Sequence, residues 1–178
     1  MKALVLTQNG QLEYLDHELA VTPGWVKIRV DASGVCGSDL GRAFRNGAYH
    51  YPLVMGHEFA GTVAELPAGA DGKFKVGDRV AVYPLLNCQK CPACLAGDYQ
   101  LCENYDYLGS RRDGGFAEFV MAPERNLVPV PAQVTMAEAA MTEPAAVAHH
   151  GVAKLAIRPG DTALVFGGGP IGILAAQW

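Results

Sequence analysis

The sequence has little charge and no long apolar run, and both shortages exclude classes of protein. Only 18% of its 178 residues are charged, the formal net charge is −4, and lysines and arginines form no cluster. A nucleic-acid binder held by phosphate contacts is therefore not expected. The charge-free stretch 162–178 contains four glycines and a proline and is shorter than the roughly 20 apolar residues of a membrane span. Half of the residues are hydrophobic, which excludes intrinsic disorder.

A secretion signal is also missing from the sequence. Residues 3–6 are apolar, but polar residues follow at once, so the hydrophobic region of a signal peptide is not formed. The chain has five cysteines, and an odd number without a secretion signal argues against a disulfide framework. We therefore expect a cytoplasmic location.

Four of the cysteines lie close together with the spacing C-x2-C-x2-C-x7-C. They are Cys88, Cys91, Cys94 and Cys102. Structural zinc commonly takes four thiolates in a tetrahedron, and the short loop between the cysteines closes at a small entropic cost. The spacing predicts a structural zinc site. An iron–sulfur cluster uses similar spacings and is an alternative at this point.

The first two-thirds of the chain is predicted to form β structure. Residues 25–31 alternate apolar and polar, as a half-buried strand does. Further strands are predicted over 60–66, 78–83, 116–121 and 126–130, separated by glycine, proline and aspartate. Many short strands with this spacing indicate a partly open barrel or packed sheets.

Helical patterns begin near residue 135. The segment from Thr135 to Glu138 has the pattern of a capping box, and a helix is predicted over 145–156. The apolar run 162–166 resembles a buried parallel strand. It leads into the motif Gly167-x-Gly169-x-x-Gly172, which in a strand–turn–helix context binds the pyrophosphate of a dinucleotide. A glycine-rich turn without a ligand is the alternative.

The glycine motif stands close to the end of the chain. A βαβ unit needs about 30 residues, whereas only 162–178 remain from the start of the predicted strand. The second strand and the acidic residue expected about 20 positions further on are absent. We therefore expect a fragment or a truncated product of a longer chain.

A second metal site can be assembled from residues outside the cysteine tetrad. Cys36 follows the strongest predicted strand, His57 follows a glycine, and Glu143 precedes a proline. One thiolate, one imidazole and one carboxylate would make a three-ligand zinc site with an open fourth position. By spacing alone, a single cysteine and a single histidine are more often ordinary core or surface residues.

The order of the motifs carries a resemblance to a known family. The motifs are Cys36-Gly37-Ser38-Asp39, Gly56-His57-Glu58, the cysteine tetrad, 114–119, Glu143-Pro144 and the glycine motif. Together they resemble the zinc-dependent medium-chain alcohol dehydrogenase family over essentially the whole chain. Loops 46–52 and 109–115 are similar to members that act on sugar-alcohol phosphates such as galactitol 1-phosphate, more than to sorbitol or threonine dehydrogenases.

The resemblance implies a fold and two zinc ions. The fold is a β-rich GroES-like catalytic domain, a partly open barrel, over 1–147, followed by the first strand and helix of a Rossmann α/β domain over 148–178. A catalytic zinc would be held by Cys36, His57 and Glu143, and a structural zinc by the cysteine tetrad.

The resemblance also implies roles around the catalytic zinc. Glu58 would lie behind the ion and coordinate it transiently, and Asp39 would orient His57. Ser38 would hydrogen-bond the reacting hydroxyl, although a serine there could equally cap a short helix. Gly41 stands where many alcohol dehydrogenases carry a proton-relaying histidine, so the relay has no assigned route.

The implied activity is hydride transfer from a polyol or sugar-alcohol phosphate to NAD or NADP. The resemblance implies a homo-oligomer for the complete protein, with no nucleic-acid or membrane partner. The alternative is a non-catalytic zinc-binding fragment of such an enzyme, or an activity like that of sorbitol or threonine dehydrogenase. Arg111 or Arg112 could contact a substrate phosphate, or both could be solvated surface residues. Tyr99, Tyr105 and Tyr107 are expected to serve packing.

Overall fold

Ten short strands and five α-helices form along the chain in the computed structural model, which describes residues 1–178. The strands are β1 (Lys2–Gln8), β2 (Gln11–Asp16), β3 (Val26–Gly34), β4 (Leu53–Val54), β5 (Glu58–Glu65), β6 (Arg79–Val82), β7 (Leu85–Leu86), β8 (Asp106–Tyr107), β9 (Phe119–Ala122) and β10 (Leu127–Pro129). The helices are α1 (Gly37–Gly41), α2 (Pro92–Leu95), α3 (Met136–Ala140), α4 (Thr142–Lys154) and α5 (Pro170–Ala175). No helix combines the length and the apolar character that crossing a bilayer requires.

The five strands predicted between residues 25 and 130 all form, and they make one antiparallel sheet. Its strand order is β10-β6-β5-β3-β9. Apolar residues on one face, including Ile28, Phe59, Val63 and Val80, are almost fully buried and form the main core. Each such side chain contributes about 1.5–3 kcal/mol by leaving water. Two smaller sheets, β2-β1-β4 and β7-β8, lie beside it, and the sheets do not close into a barrel.

The pairing of β3 with β5 places the candidate site. Their antiparallel register sets Gly34 opposite Glu58. A Cβ atom on Gly34 would lie 2.5 Å from the Glu58 carboxylate, so glycine at this position leaves room for that side chain. Cys36 follows the end of β3 and His57 precedes the start of β5. Because the two strands are antiparallel neighbours inside the sheet, these residues meet at the same end of the strand pair.

The predicted capping box is confirmed at the start of α3. The Thr135 hydroxyl accepts a hydrogen bond from the Glu138 backbone N–H at 3.2 Å, and the Glu138 carboxylate accepts from the Thr135 N–H at 2.7 Å. Helix α4 begins three residues before the predicted start and ends at Lys154. It runs unbroken through position 147, where the sequence predicts a domain boundary, and that boundary stays a prediction.

The run 162–166 differs from its prediction, because it forms no strand. Phe166 is fully exposed and Leu164 is 89% exposed. A parallel strand needs neighbouring strands to pair its backbone N–H and C=O groups and to cover its side chains, and none lies beside this segment. The helix after the glycine motif does form, as α5, and it packs on α4.

Candidate functional site

The four clustered cysteines converge as their spacing predicts. Their sulfur atoms all lie within 4.8 Å of one another, and none forms a disulfide. The Sγ atoms of Cys88 and Cys94 are 3.9 Å apart. Two sulfurs bound to one tetrahedral zinc at about 2.3 Å would be separated by roughly 3.8 Å. The donor set therefore fits a structural zinc.

Local backbone geometry creates this thiol cluster. Cys91 caps the N-terminus of α2, and Pro92 occupies the first helical position, where its missing N–H leaves no bond unmade. Backbone N–H groups of Lys90 and Cys91 lower the pKa of Cys88 to about 6, which favours the thiolate that binds metal. Burial, followed by the neighbouring thiols, raises the pKa of Cys94. A bound cation would remove that penalty.

A second group of possible metal ligands lies where the inner strand β3 ends and β5 begins. One ligand atom each from Cys36, His57 and Glu58 lies within 4.8 Å of the others. The imidazole of His57 is buried, whereas Cys36 and Glu58 are partly exposed. A thiolate, an imidazole and a carboxylate on a partly open surface form the kind of donor set that catalytic zinc sites use.

Asp39 is buried behind this second group and connects its members. Its Oδ2 accepts a hydrogen bond from the Cys36 backbone N–H at 3.0 Å. Its Oδ1 accepts from Arg42 at 3.2 Å and lies 3.4 Å from His57 Nδ1. That nitrogen is buried and has no well-formed hydrogen bond. Because Asp39 faces Nδ1, the other ring nitrogen of His57 is the one available to a metal.

The charges around His57 favour its protonated form when no metal is bound. Burial lowers the pKa of the imidazole, but the Asp39 carboxylate 3.4 Å from Nδ1, with smaller contributions from Cys36, outweighs burial and raises the pKa to about 9. A cation in place of the proton would satisfy the same negative charges. The surroundings of His57 therefore suit a positively charged occupant.

Glu143 lies near this donor group but is not among the residues whose ligand atoms are within 4.8 Å of one another. It lies in the first turn of α4, and its Oε1 accepts a hydrogen bond from the Tyr107 hydroxyl at 3.2 Å. Burial raises the pKa of Glu143, opposed by the positive charge of His57. The ring of Tyr107 packs edge-on against His57, with centroids 5.8 Å apart. Glu58 is thus the carboxylate within the donor group, and ligation by Glu143 stays a prediction.

Ser38 lies in α1, next to Asp39, with its side chain exposed. The N-cap of α1 is Cys36, whose backbone is extended, so the alternative of Ser38 as a helix cap is not what the structure has. Its exposure leaves the hydroxyl free for a substrate. Its role at a reacting hydroxyl stays a prediction.

The glycine motif forms its turn without the preceding strand. Gly167 has a φ of 110°, and a Cβ atom on Gly172 would lie 2.0 Å from the Gly167 carbonyl oxygen. Both positions therefore require glycine, as a close turn into a helix does. Gly169 is the N-cap of α5. Dinucleotide binding by these three glycines stays a prediction.

Sequence reasoning missed two side chains that support the donor group. Tyr107, expected only to pack, also donates a hydrogen bond to Glu143. Arg42 binds Asp39 from within the same turn. The i, i+3 spacing of Asp39 and Arg42 on a predicted helix could have indicated that ion pair, but no local signal links Tyr107 to Glu143.

A β-rich domain with a closed four-thiol cluster and an open Cys–His–carboxylate group defines the class of zinc-type dehydrogenase domains. Residues 22–132 match the family model described as the alcohol dehydrogenase GroES-like domain. The chain therefore belongs to the alcohol dehydrogenase family with a GroES-like domain, whose members are alcohol and polyol dehydrogenases.

Individual relatives agree with this family. Sorbitol dehydrogenase of Halalkalibacterium halodurans is 46% identical over 181 residues, which cover 99% of this chain and 52% of the relative. The crystal structure of galactitol-1-phosphate dehydrogenase from Escherichia coli superposes with a TM-score of 0.92 at 37% identity, over 99% of this chain and 51% of that one. An alcohol dehydrogenase from Escherichia coli CFT073, solved with NADH, gives 0.91 at 35% identity, over 99% and 52%. The chain thus spans about half the length of the relatives it matches.

Proposed function

We propose that this chain carries the zinc-binding catalytic part of a dehydrogenase that oxidises a hydroxyl of a polyol or sugar-alcohol phosphate, with NAD or NADP accepting the hydride. The observation that carries the proposal is the donor group of Cys36, His57 and Glu58, with the buried Asp39 behind it. The substrates named for the sorbitol and galactitol 1-phosphate relatives support the substrate class.

The chain's own residues would position the reactants. Zinc, when bound, supplies Lewis acidity that lowers the pKa of a substrate hydroxyl. Cys36 and His57 would hold it, with Glu58 or Glu143 as the carboxylate. Asp39 holds the His57 ring through its contact with Nδ1.

Ser38 would accept a hydrogen bond from the reacting hydroxyl and start its proton on the way out, giving up its own hydroxyl proton to water or to another group in the same step. Gly167, Gly169 and Gly172 would let the dinucleotide phosphates approach the backbone. The four-cysteine cluster would hold a second, structural zinc. The proposal also includes a homo-oligomer and a cytoplasmic location.

Zinc content per chain, measured by elemental mass spectrometry, tests the proposal. We expect about two zinc ions per chain, since a closed and an open donor set are both present. Cys36→Ser should lower the value to about one, and Val35→Ser, at the exposed neighbouring position, is a matched control that should leave it unchanged. A value of one in the unmodified chain would contradict the catalytic centre.

Turnover separates the proposal from its alternative. With both sites filled, oxidation of galactitol 1-phosphate or sorbitol in the presence of NAD or NADP would support the dehydrogenase. Complete inertness toward both polyols, at two zinc ions per chain, would favour the non-catalytic zinc-binding alternative. The same assay, run with each nucleotide, would identify the cofactor.

A further inference from the structure

Two adjacent arginines in loop 109–115 have different surroundings. Arg112 forms an ion pair with Asp106 through its Nε atom, and its guanidinium lies 5.5 Å from the centroid of the Trp25 ring. Arg111 has no carboxylate partner among the ion pairs of the chain. Arg112 is therefore paired directly with a carboxylate, whereas Arg111 is attracted by Asp106 only at longer range and has no ion pair of its own.

Two tyrosines hold the guanidinium of Arg111. Its central carbon lies 4.1 Å from the ring centroid of Tyr105 and 4.4 Å from that of Tyr49. One Nη2 N–H donates to the Tyr49 hydroxyl at 3.2 Å. A guanidinium has five N–H donors, so most of them remain free. Because the rings already restrict the side chain, it loses little freedom on binding a ligand.

The backbone of Arg111 is also held in place. The two ring nitrogens of His50 lie 3.1 Å from the carbonyl oxygens of Pro52 and Arg111. Gly109, with a φ of 77°, donates its N–H to the Arg112 carbonyl at 2.8 Å. The loop therefore presents Arg111 from a fixed support, which is what a precise binding site needs.

A row of aromatic rings runs from Arg111 to the candidate metal centre. Tyr105 packs edge-on against Tyr107 with centroids 6.2 Å apart, and Tyr107 packs against His57 at 5.8 Å. One end of the row carries a cation without an ion pair and the other end a group of metal ligands. A substrate that reaches both ends of this row would carry a hydroxyl to be oxidised and an anionic group further along its carbon chain.

We propose that Arg111 binds the anionic end group of the substrate, a phosphate monoester or a carboxylate attached to a polyol chain. Arginine pairs with either group through two parallel N–H···O bonds. Arg112 does not bind this end group, because its guanidinium forms an ion pair with Asp106. This inference rests on the proposed function in one respect: the molecule that carries the anionic group is taken to be the polyol substrate.

The test compares ligands that differ only at one end. Dissociation constants of galactitol 1-phosphate, galactonate and galactitol are measured by calorimetry on the zinc-loaded chain, on Arg111→Met and on Arg111→Lys. The matched control removes the neighbouring ion pair as a whole, as Arg112→Met with Asp106→Asn, so that no unpaired charge is created. Near-UV circular dichroism checks that each variant is folded.

We expect at least one anionic ligand to bind the unmodified chain about tenfold or more tightly than galactitol, as a charge-assisted hydrogen bond provides. Arg111→Met should abolish that preference, Arg111→Lys should keep part of it, and the control should keep it whole. Whichever of the phosphate and the carboxylate binds more tightly identifies the end group.

Two results would overturn the inference: no preference for either anion in the unmodified chain, or an undiminished preference in Arg111→Met. Zinc content separates this outcome from failure of the proposed function. A chain with two zinc ions and no preference for anions loses only the role of Arg111. A chain without zinc at the second centre loses the proposed function, and the ratio of anionic to neutral affinity still decides the role of Arg111.

Discussion

The Tyr107 hydroxyl donates a 3.2 Å hydrogen bond to the Glu143 carboxylate, while the same tyrosine ring packs edge-on against His57. One side chain thus contacts two of the candidate zinc ligands, which come from α4 and from the start of β5. It holds Glu143 beside the group formed by Cys36, His57 and Glu58. We therefore expect Tyr107 to position Glu143 and His57 at the candidate catalytic centre.

Removal of the Tyr107 hydroxyl should weaken zinc at that centre. Tyr107→Phe keeps the ring against His57 but frees Glu143, and loss of a partner of a metal ligand costs about 10- to 100-fold in metal affinity. Competition with a chelator measures the loss. Tyr105→Phe, one step along the same row, is the control and should leave the affinity unchanged. Equal affinities for all three proteins would show that Glu143 needs no such support.

The capping box at α3 should make a measurable contribution to stability. Thr135→Ala removes the hydroxyl that accepts from the Glu138 N–H, and loss of such a cap typically costs about 1 kcal/mol in the free energy of unfolding. Urea unfolding followed by circular dichroism measures the change. Thr135→Ser keeps an acceptor oxygen and should stay close to the unmodified chain. A full loss in the serine variant would point to packing of the threonine methyl group instead.

The contribution of Glu138 should depend on pH. Hydrogen bonds from the Thr135 side chain and then its backbone N–H lower the pKa of Glu138 below its usual value of 4.5. A depressed folded-state pKa stabilises the fold above the unfolded-state pKa, and this stabilisation is lost as the pH falls through the folded-state pKa. The stability difference between the unmodified chain and Glu138→Ala should therefore be constant near neutral pH and shrink in acid. A difference that grows as the pH falls would contradict this assignment.

Two glycine-to-alanine substitutions should have opposite effects. A Cβ atom on Gly61 would lie 2.1 Å from the Arg29 carbonyl oxygen across the β3–β5 pair, so Gly61→Ala should cost about 1–3 kcal/mol through overpacking. Gly151 lies within α4 with no atom near its missing Cβ. Gly151→Ala should therefore stabilise the chain by about 0.5–1 kcal/mol, because alanine favours helix. Thermal unfolding of both variants measures the contrast, and loss of stability in Gly151→Ala would contradict the open space.

Local spacing was enough to predict the features that depend on neighbours in sequence. The four-cysteine cluster closes over 15 positions, the capping box over four, and the turn of the glycine motif over six. In each case the interacting groups are brought together by a short loop or a single helical turn, so residue type and spacing specify the contact. Alternation over 25–31, and short segments separated by glycine, proline and aspartate elsewhere, likewise predicted the strands of the main sheet, with ends shifted by up to three residues.

The strand predicted at 162–166 does not form, and local spacing could not have shown this. Its apolar composition is typical of a buried strand, yet Phe166 is fully exposed and the segment is irregular. A strand is completed by hydrogen bonds to other strands, so its composition alone cannot form it. The predicted helix beside it formed because a helix satisfies its own backbone groups.

The sequence by itself determined the thiol cluster and the sheet-forming segments, because these follow from residue types at short spacing, and the order of its motifs carried the resemblance to the family. Only the tertiary structure decided that the β3–β5 register brings Glu58 within 4.8 Å of Cys36 and His57, and that Glu143 is hydrogen-bonded to Tyr107. It also decided that Asp106 pairs with Arg112 and that Arg111 has no ion pair of its own. These contacts form across strands and loops. Spacing along the sequence does not specify distances between such segments, so packing decides which of several chemically similar residues becomes the partner.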